Sequence, residues 1–245
     1  MIERLTEDHL LDATGGDPMV RAAVQGGRIL GAAWSGYGAH IWQEVHRGEP
    51  ALAGIGSPVG AARLLEAVLS EIQGLRHASL PRGWLQKIAD GRIEYRADWD
   101  WFWTNEAPGA RSNLPDAAWL ELSDLDEVRG LLKDAMPDAA TWPGDARVRR
   151  WAGIRQSVNH LVACAADTAR SPLIGHLSSV ATAMDQRRKG YGAVLIDWMI
   201  RQYLDEGAEI ITLGMYTDNI AGRRFYDRLG FTREHEFTSA GIAPV

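Results

Sequence analysis

The sequence predicts an α/β protein with mixed sheets, and three observations carry that expectation. Short β-branched and aromatic runs alternate with longer stretches whose apolar residues recur at helical spacing. Those longer stretches open on Ser, Thr or Asp and close on Gly, the residues that cap helices. The composition, 46% apolar and 24% charged over 245 residues, suits a folded chain and not a disordered one. That length fits one or two domains with cores large enough to need no disulfide.

Taken in order, TEDHLLDA (6–13) begins a helix with Thr6 as N-cap. Strands are expected at RILGAAW (28–34), AHIWQEV (39–45) and ALAGI (51–55). SPVGAARLLEAVLSEIQG (57–74) is a helix: Ser57 caps it, Pro58 suits its first turn and Gly74 its end. Leu64, Leu65, Val68 and Ile72 share one face of it. Strands near 92–103 close this half, and the alternating run WDWFW (99–103) gives one of them an aromatic face. Nine of the ten Trp residues precede residue 152, which suggests a core or interface, with a pocket wall as the lesser reading. The polar, Pro- and Gly-containing run NEAPGARSNLPDA (105–117) reads as a linker. It gives two domains, 1–108 and 118–245, joined by 109–117.

The second half opens with a strand, AWLEL (118–122), and a helix, DLDEVRGLLKDAM (124–136), capped by Ser123 or Asp124. WAGIRQ (151–156) and HLVACAAD (160–167) form a hairpin turning at Asn159, and LIGHLSSVAT (173–182) is the next strand. The basic loop DQRRKGYGA (185–193) leads into a helix to about 206, with Val194, Leu195, Trp198 and Met199 on its apolar face and Gly207 at its end. EIITLGM (209–215) is a strand, NIAGRRFYDRLG (219–230) a helix, and a last strand starts at Phe231.

Charge and cysteine content exclude several classes. With 26 basic and 32 acidic residues the net charge is -6, which argues against a nucleic-acid partner. The single cysteine, Cys164, lies in an apolar run and reads as a buried small residue, so neither a disulfide nor a Cys-based zinc site is expected. The histidines show no metal-ligand spacing, and no metal is expected. The N-terminus is acidic and no apolar run approaches the ~20 residues of a membrane span, so the expected location is cytoplasmic with no membrane partner.

The unit that carries chemistry is strand, then RRKGYG (187–192), then helix. A loop leaving a strand to open a helix presents unpaired backbone N–H groups and the positive end of the helix dipole. Gly190 and Gly192 remove side chains that would hold a ligand away from the main chain. Arg187, Arg188 and Lys189 add full positive charges. Such a loop is suited to a phosphate or pyrophosphate. It is neither a Walker loop nor the dinucleotide fingerprint GxGxxG.

Together with N-x6-YDRLGF (219–231), this arrangement resembles the GCN5-related N-acetyltransferase (GNAT) family over about residues 117–235. Arg187, Gly190 and Gly192 fit that family's [QR]xxGx[GA] acyl-CoA loop. Asn219, Tyr226, Leu229, Gly230 and Phe231 fit its second motif, with Gly222 standing where a small residue such as Ala is common. The resemblance implies the GNAT acyl-CoA N-acyltransferase fold for the second half and acetyl-CoA as co-substrate. The backbone amides of Arg188, Lys189, Gly190, Tyr191, Gly192 and Ala193 would hold the CoA pyrophosphate. Val180, Ala181 and Thr182 would pair with the pantetheine arm as an added strand. Asn219 would contact the CoA arm, Phe225 is counted with the cofactor-contacting residues, and Tyr226 would be the acid that protonates the departing thiolate. Arg223 and Arg224 read as an exposed helix start or a contact to the CoA 3′-phosphate.

The chemistry asks for the same parts. An alkylammonium near pKa 10.4 costs roughly 4.6 kcal/mol to deprotonate at pH 7, so a base or a water must take that proton. His176, on the strand before the loop, is the candidate base, since imidazole titrates near neutrality. The alternatives are a structural histidine with ordered water as base. Ser178 and Ser179 are candidate water-relay members. The oxyanion needs an N–H donor, which the strand around Val180 can supply.

The first half repeats the order of the second. GSPVGAA (56–62) sits where the loop would be, with a proline and no basic residues, and no YxxLGF follows. It reads as a smaller, degenerate GNAT-like domain that binds CoA poorly and whose Trp residues wall the acceptor site; an unrelated α/β cap is the alternative. The expected activity is acetyl transfer to a primary amine of a small molecule, by a monomer or homodimer. A CoA-binding sensor without catalysis and a protein or peptide N-acetyltransferase are the alternatives.

Overall fold

The computed structural model describes residues 1–46, 48–87, 93–109, 113–157 and 160–243. In chain order the first elements are β1 (Glu3–Leu5), α1 (Glu7–Ala13), α2 (Pro18–Gln25), β2 (Ala33–Gly36), β3 (Ala39–His46), β4 (Glu49–Gly56), α3 (Pro58–Val68), β5 (His77–Pro81) and β6 (Ile93–Thr104). There follow β7 (Ala117–Trp119), α4 (Leu125–Ala135), β8 (Arg150–Ser157), β9 (His160–Asp167), β10 (Ile174–Thr182), α5 (Tyr191–Asp205), β11 (Ile210–Tyr216), α6 (Ile220–Arg228) and β12 (Thr232–Ile242).

The chain divides into two compact units. The first takes Met1–Phe102, Met215–Arg224 and Arg233–Val245, and the second takes Trp103–Gly214 and Phe225–Thr232. These units do not follow the expected stretches 1–108 and 118–245. The reason is backbone pairing: β12 runs antiparallel to β5, from Phe237↔Pro81 to Gly241↔His77, so the C-terminal strand goes with the first unit. Of the expected linker 109–117, residues 110–112 lie outside the described residues, as does the turn expected at Asn159.

In the first unit β1 to β4 pair antiparallel in succession, and β5 returns parallel to β4 after α3. Thr6 caps α1, and Ser57 caps α3 by accepting the Gly60 N–H at 2.9 Å. The helix α2 was not foreseen, although its signals are ordinary: Asp17 accepts the N–H groups of Met19 and Val20, and Pro18 takes the first turn. The strand expected at 28–34 is instead the shorter β2: Gly31 takes φ 111° and the Ala32 N–H turns to the Gln43 side chain, while the Leu30 N–H and the Ala32 carbonyl still bond to the Gln43 backbone. The short β5 was also missed. α3 passes into a 3-10 turn at Leu69–Glu71, before the expected end at Gly74. Leu64, Leu65, Val68 and Ile72 are buried in a cluster with Trp34, Ile41, Leu52, Leu80 and Trp84. Trp34, Trp42, Trp84 and Trp101 are all buried, as a core reading expects, while Trp99 and Trp103 are half-buried.

In the second unit β7, β8, β9 and β10 pair antiparallel in succession, and β11 runs parallel to β10. The strand expected at 118–122 ends at Trp119, where a capping box between Glu121 and Asp124 starts a 3-10 turn. Asp124 therefore gives its carboxylate to the Glu121 N–H, and α4 has no side-chain cap. α4 lays Val128 and Leu132 on Leu161, Cys164, Ala166 and Ala181. Cys164 is fully buried, and burial pushes its thiol up to about 12. The buried stripe of α5 is Leu195, Ile196, Met199, Ile200 and Tyr203, while Trp198 lies edge-on to Trp119. Each unit thus reads strand, helical segment, three-stranded antiparallel meander, helix, parallel strand.

Candidate active site

The junction from β10 to α5 departs from regular sheet in two ways. β10 pairs with β11 only from Ile174↔Ile210 to Leu177↔Leu213, then runs on to Thr182 without it. Its pairing with β9 shifts register between Ser178 and Ala181, and Ser179 takes a positive φ of 47°. The Ser179 hydroxyl accepts the Thr141 N–H at 3.0 Å and donates to the Thr141 carbonyl at 2.9 Å. These bonds hold a left-handed non-glycine residue inside a strand, a conformation that needs such support. The Ser179 hydroxyl is thus engaged in fastening the segment after α4, not in relaying a proton. Val180, Ala181 and Thr182 follow with one strand edge turned away from β9.

After a turn at Met184–Gln186, residues Arg187, Arg188, Lys189 and Gly190 are exposed. Gly190 is the N-cap of α5 with φ 98°, and no side chain caps this helix. The helix therefore opens on the backbone N–H groups of Tyr191, Gly192 and Ala193, with the positive end of its dipole at the surface. A Cβ at Gly192 would sit 3.3 Å from the Phe225 ring and 3.4 Å from Thr182 Oγ1, so this position lies close between β10 and α6. The expected residues divide by role. Arg187 sends its guanidinium to the Ala135 and Thr182 carbonyls, tying α4 to the end of β10, and Lys189 donates to Gln186.

His176 lies on β10 in direct register with Thr212 on β11. Its Nδ1 is 2.7 Å from Thr212 Oγ1, and Thr212 donates to the Gly175 carbonyl at 3.2 Å. Gly175 faces α5, since a Cβ there would come within 2.8 Å of the Tyr203 ring. By strand alternation His176 faces the other way, toward the α4 side. The His176 carbonyl accepts from the Thr168 N–H and from the Tyr203 hydroxyl.

Tyr226 is buried in α6 and stacks edge-on against Phe225 and Phe231. Burial raises its phenol well above the usual range, so it is protonated at neutral pH. Of the two neighbouring rings, Phe225 meets the start of α5 at Gly192. Asn219 is counted with the first unit, where its Oδ1 accepts the Gly222 N–H at 2.8 Å. This explains the departure at Gly222: a Cβ would come within 2.5 Å of the Asn219 amide and 2.7 Å of Met215 Sδ. In the same unit, Arg223 and Arg82 close on the fully buried Asp100 at 2.7 and 2.5 Å. Sequence spacing gave no hint of a further group there: Asp17, Glu234 and His235 place ligand-type atoms within 4.8 Å of one another. His235 Nε2 sits 2.9 Å from Asp17 Oδ2, an ion-pair geometry.

Residues 117–231 match the model of the acetyltransferase (GNAT) family. Over this stretch, just under half of the chain, the sequence is similar to that family. The family's reaction is acyl transfer from acyl-CoA to an amine, with acetyl-CoA as co-substrate. Solved structures resemble the chain over its whole length. A GCN5-related N-acetyltransferase from Kribbella flavida is 18% identical and aligns over 91% of this chain and 93% of its own, with a TM-score of 0.56. One from Sphaerobacter thermophilus is 12% identical over 100% and 96%, with a TM-score of 0.57. A Drosophila protein is 15% identical over 99% and 98%, with a TM-score of 0.65. At these identities the likeness is one of fold. No curated relative matches the sequence. No helix among the described residues is long and apolar enough to cross a membrane.

Proposed function

We propose that the second unit acetylates a primary amine of a small molecule, with acetyl-CoA held at the β10–α5 junction. The observation that carries this reading is the start of α5. It is a surface helix N-terminus without a side-chain cap, led by Gly190 and three cationic residues, at the end of a strand that its parallel neighbour has left. The pyrophosphate would rest on the amides of Arg188 to Ala193. The pantetheine arm would take the strand edge that β11 leaves beside Val180, Ala181 and Thr182.

In the ternary complex His176, or a water it holds, takes the ammonium proton. The neutral nitrogen then attacks the thioester carbonyl, whose oxyanion is stabilised by a β10 backbone N–H. The C–S bond breaks, Tyr226 gives its proton to the thiolate, and the nitrogen's second proton restores the phenol. The products are the amide, CoA thiol and one proton released to water. The chain's net charge of -6 favours a cationic acceptor. The first unit, with the same order of elements and no basic loop, is read as a degenerate copy of the fold.

The test is thiol release from acetyl-CoA across a panel of small amines and short peptides, with the acetylated product identified by mass. Turnover on small amines with equimolar CoA is expected. Binding of acetyl-CoA without turnover on any amine would overturn the catalytic reading, and turnover on peptides alone would overturn the acceptor class.

A further inference from the structure

Thr212 is one of the most buried polar residues of the second unit, 2% exposed, and the reaction described above gives it no part. Its hydroxyl carries a single hydrogen. With that hydrogen given to the Gly175 carbonyl, the oxygen facing His176 Nδ1 at 2.7 Å has only lone pairs to offer. Nδ1 must then be the protonated nitrogen, and Nε2 carries the acceptor lone pair. The partner of one imidazole nitrogen sets the state of the other. Three features make this arrangement rigid. Thr212 is β-branched and stiff at χ1. It sits in direct parallel register with His176. The His176 carbonyl is held independently by the Thr168 N–H at 3.0 Å and the Tyr203 hydroxyl at 3.3 Å.

We infer that Thr212 is a positioning residue: it fixes His176 as the Nδ1–H tautomer and so places on Nε2 the lone pair that a general base needs. The catalytic consequence rests on reading His176 as the base; the tautomer does not. No bond is made or broken at Thr212 itself. The Nδ1–H donates to the Thr212 hydroxyl, and that hydroxyl donates to the Gly175 carbonyl, so the chain of hydrogen bonds runs away from Nε2 and ends on an acceptor.

The experiment is 15N–1H correlation of the imidazoles in protein labelled at histidine, at a pH where the ring is neutral, with His176 assigned from His176→Gln. Wild type is expected to show Nδ1 protonated. Thr212→Val, which keeps the shape and removes the hydroxyl, should move the ring toward the Nε2–H form, and Thr212→Ser should hold it. A wild-type ring protonated at Nε2, or one unchanged in Thr212→Val, would overturn the inference. With an active amine from the panel, Thr212→Val should lower kcat on the order of tenfold or more at an unchanged KM for acetyl-CoA, with Thr212→Ser restoring it. Full turnover by His176→Gln would overturn the base reading and leave the tautomer result standing.

Discussion

Two strand-to-helix junctions occupy matching places in the two units, and they differ in what they leave open. At the β4–α3 junction Ser57 accepts the Gly60 N–H, Pro58 supplies no N–H at all, and a Cβ at Gly60 would lie 2.2 Å from the Tyr37 carbonyl. The helix start is capped, lacks a donor and faces a backbone oxygen. At the β10–α5 junction there is no cap and no proline, and Arg187, Arg188 and Lys189 stand beside Gly190. The same element order yields a closed helix start in one unit and an open, uncapped one in the other. A few side chains decide which, and the topology does not.

The largest effect expected from breaking this contrast is on chemistry, for which the first unit has no counterpart to Tyr226. Tyr226→Phe should lower kcat by about 10²–10⁴ while acetyl-CoA affinity, read by calorimetry, stays nearly unchanged. Equal losses of binding and rate would move Tyr226 from acid to packing. Next comes the cradle. Gly190→Asp puts a side chain at φ 98° and a negative charge where phosphate would sit, and should weaken acetyl-CoA binding on the order of 100-fold. An unchanged melting temperature is the control that keeps this a binding result.

A smaller effect is expected at the closed junction. Ser57→Ala removes the cap of α3 and should cost about 1 kcal/mol of stability in denaturant unfolding, with acetyl-CoA binding untouched. A loss of binding there would contradict the division of roles. The smallest effect concerns pH. Burial holds the His40 imidazole of the first unit below its usual range, with Asp17 partly opposing the shift. The unfolded chain then binds this proton first, so stability should fall as pH drops below about 6.5. His40→Gln should flatten that part of the melting-temperature profile between pH 7 and pH 5, and an unaltered profile would show that His40 does not set it.

Much of this was legible in the sequence where a local cause sufficed. Thr6, Ser57 and Gly190 act at helix ends, and the basic loop could be read from its residue types. What was missed depended on partners distant in the chain. β12 belongs with β5 through a ladder linking residues about 160 apart, which no local pattern announces. The strand expected at 28–34 is interrupted at Gly31, whose φ of 111° and the neighbouring bond from the Ala32 N–H to the Gln43 side chain are invisible to periodicity. Asn219, matched to a motif, is shown capping the turn at Gly222, which also accounts for the glycine. Of the Trp residues in the first half, Trp34, Trp42, Trp84 and Trp101 are buried, because bulky rings fill a unit's interior as readily as they line a cleft, while Trp99 and Trp103 are half-buried.

The most direct test of the contrast is the stoichiometry of acetyl-CoA binding to the wild-type chain by isothermal titration. An open cradle in one unit and a closed junction in the other predict one site per chain, in the range of about 1 μM to 1 mM typical of enzyme substrates. Two sites per chain would contradict the closure of the β4–α3 junction, and none would contradict the assignment of the β10–α5 junction to acetyl-CoA.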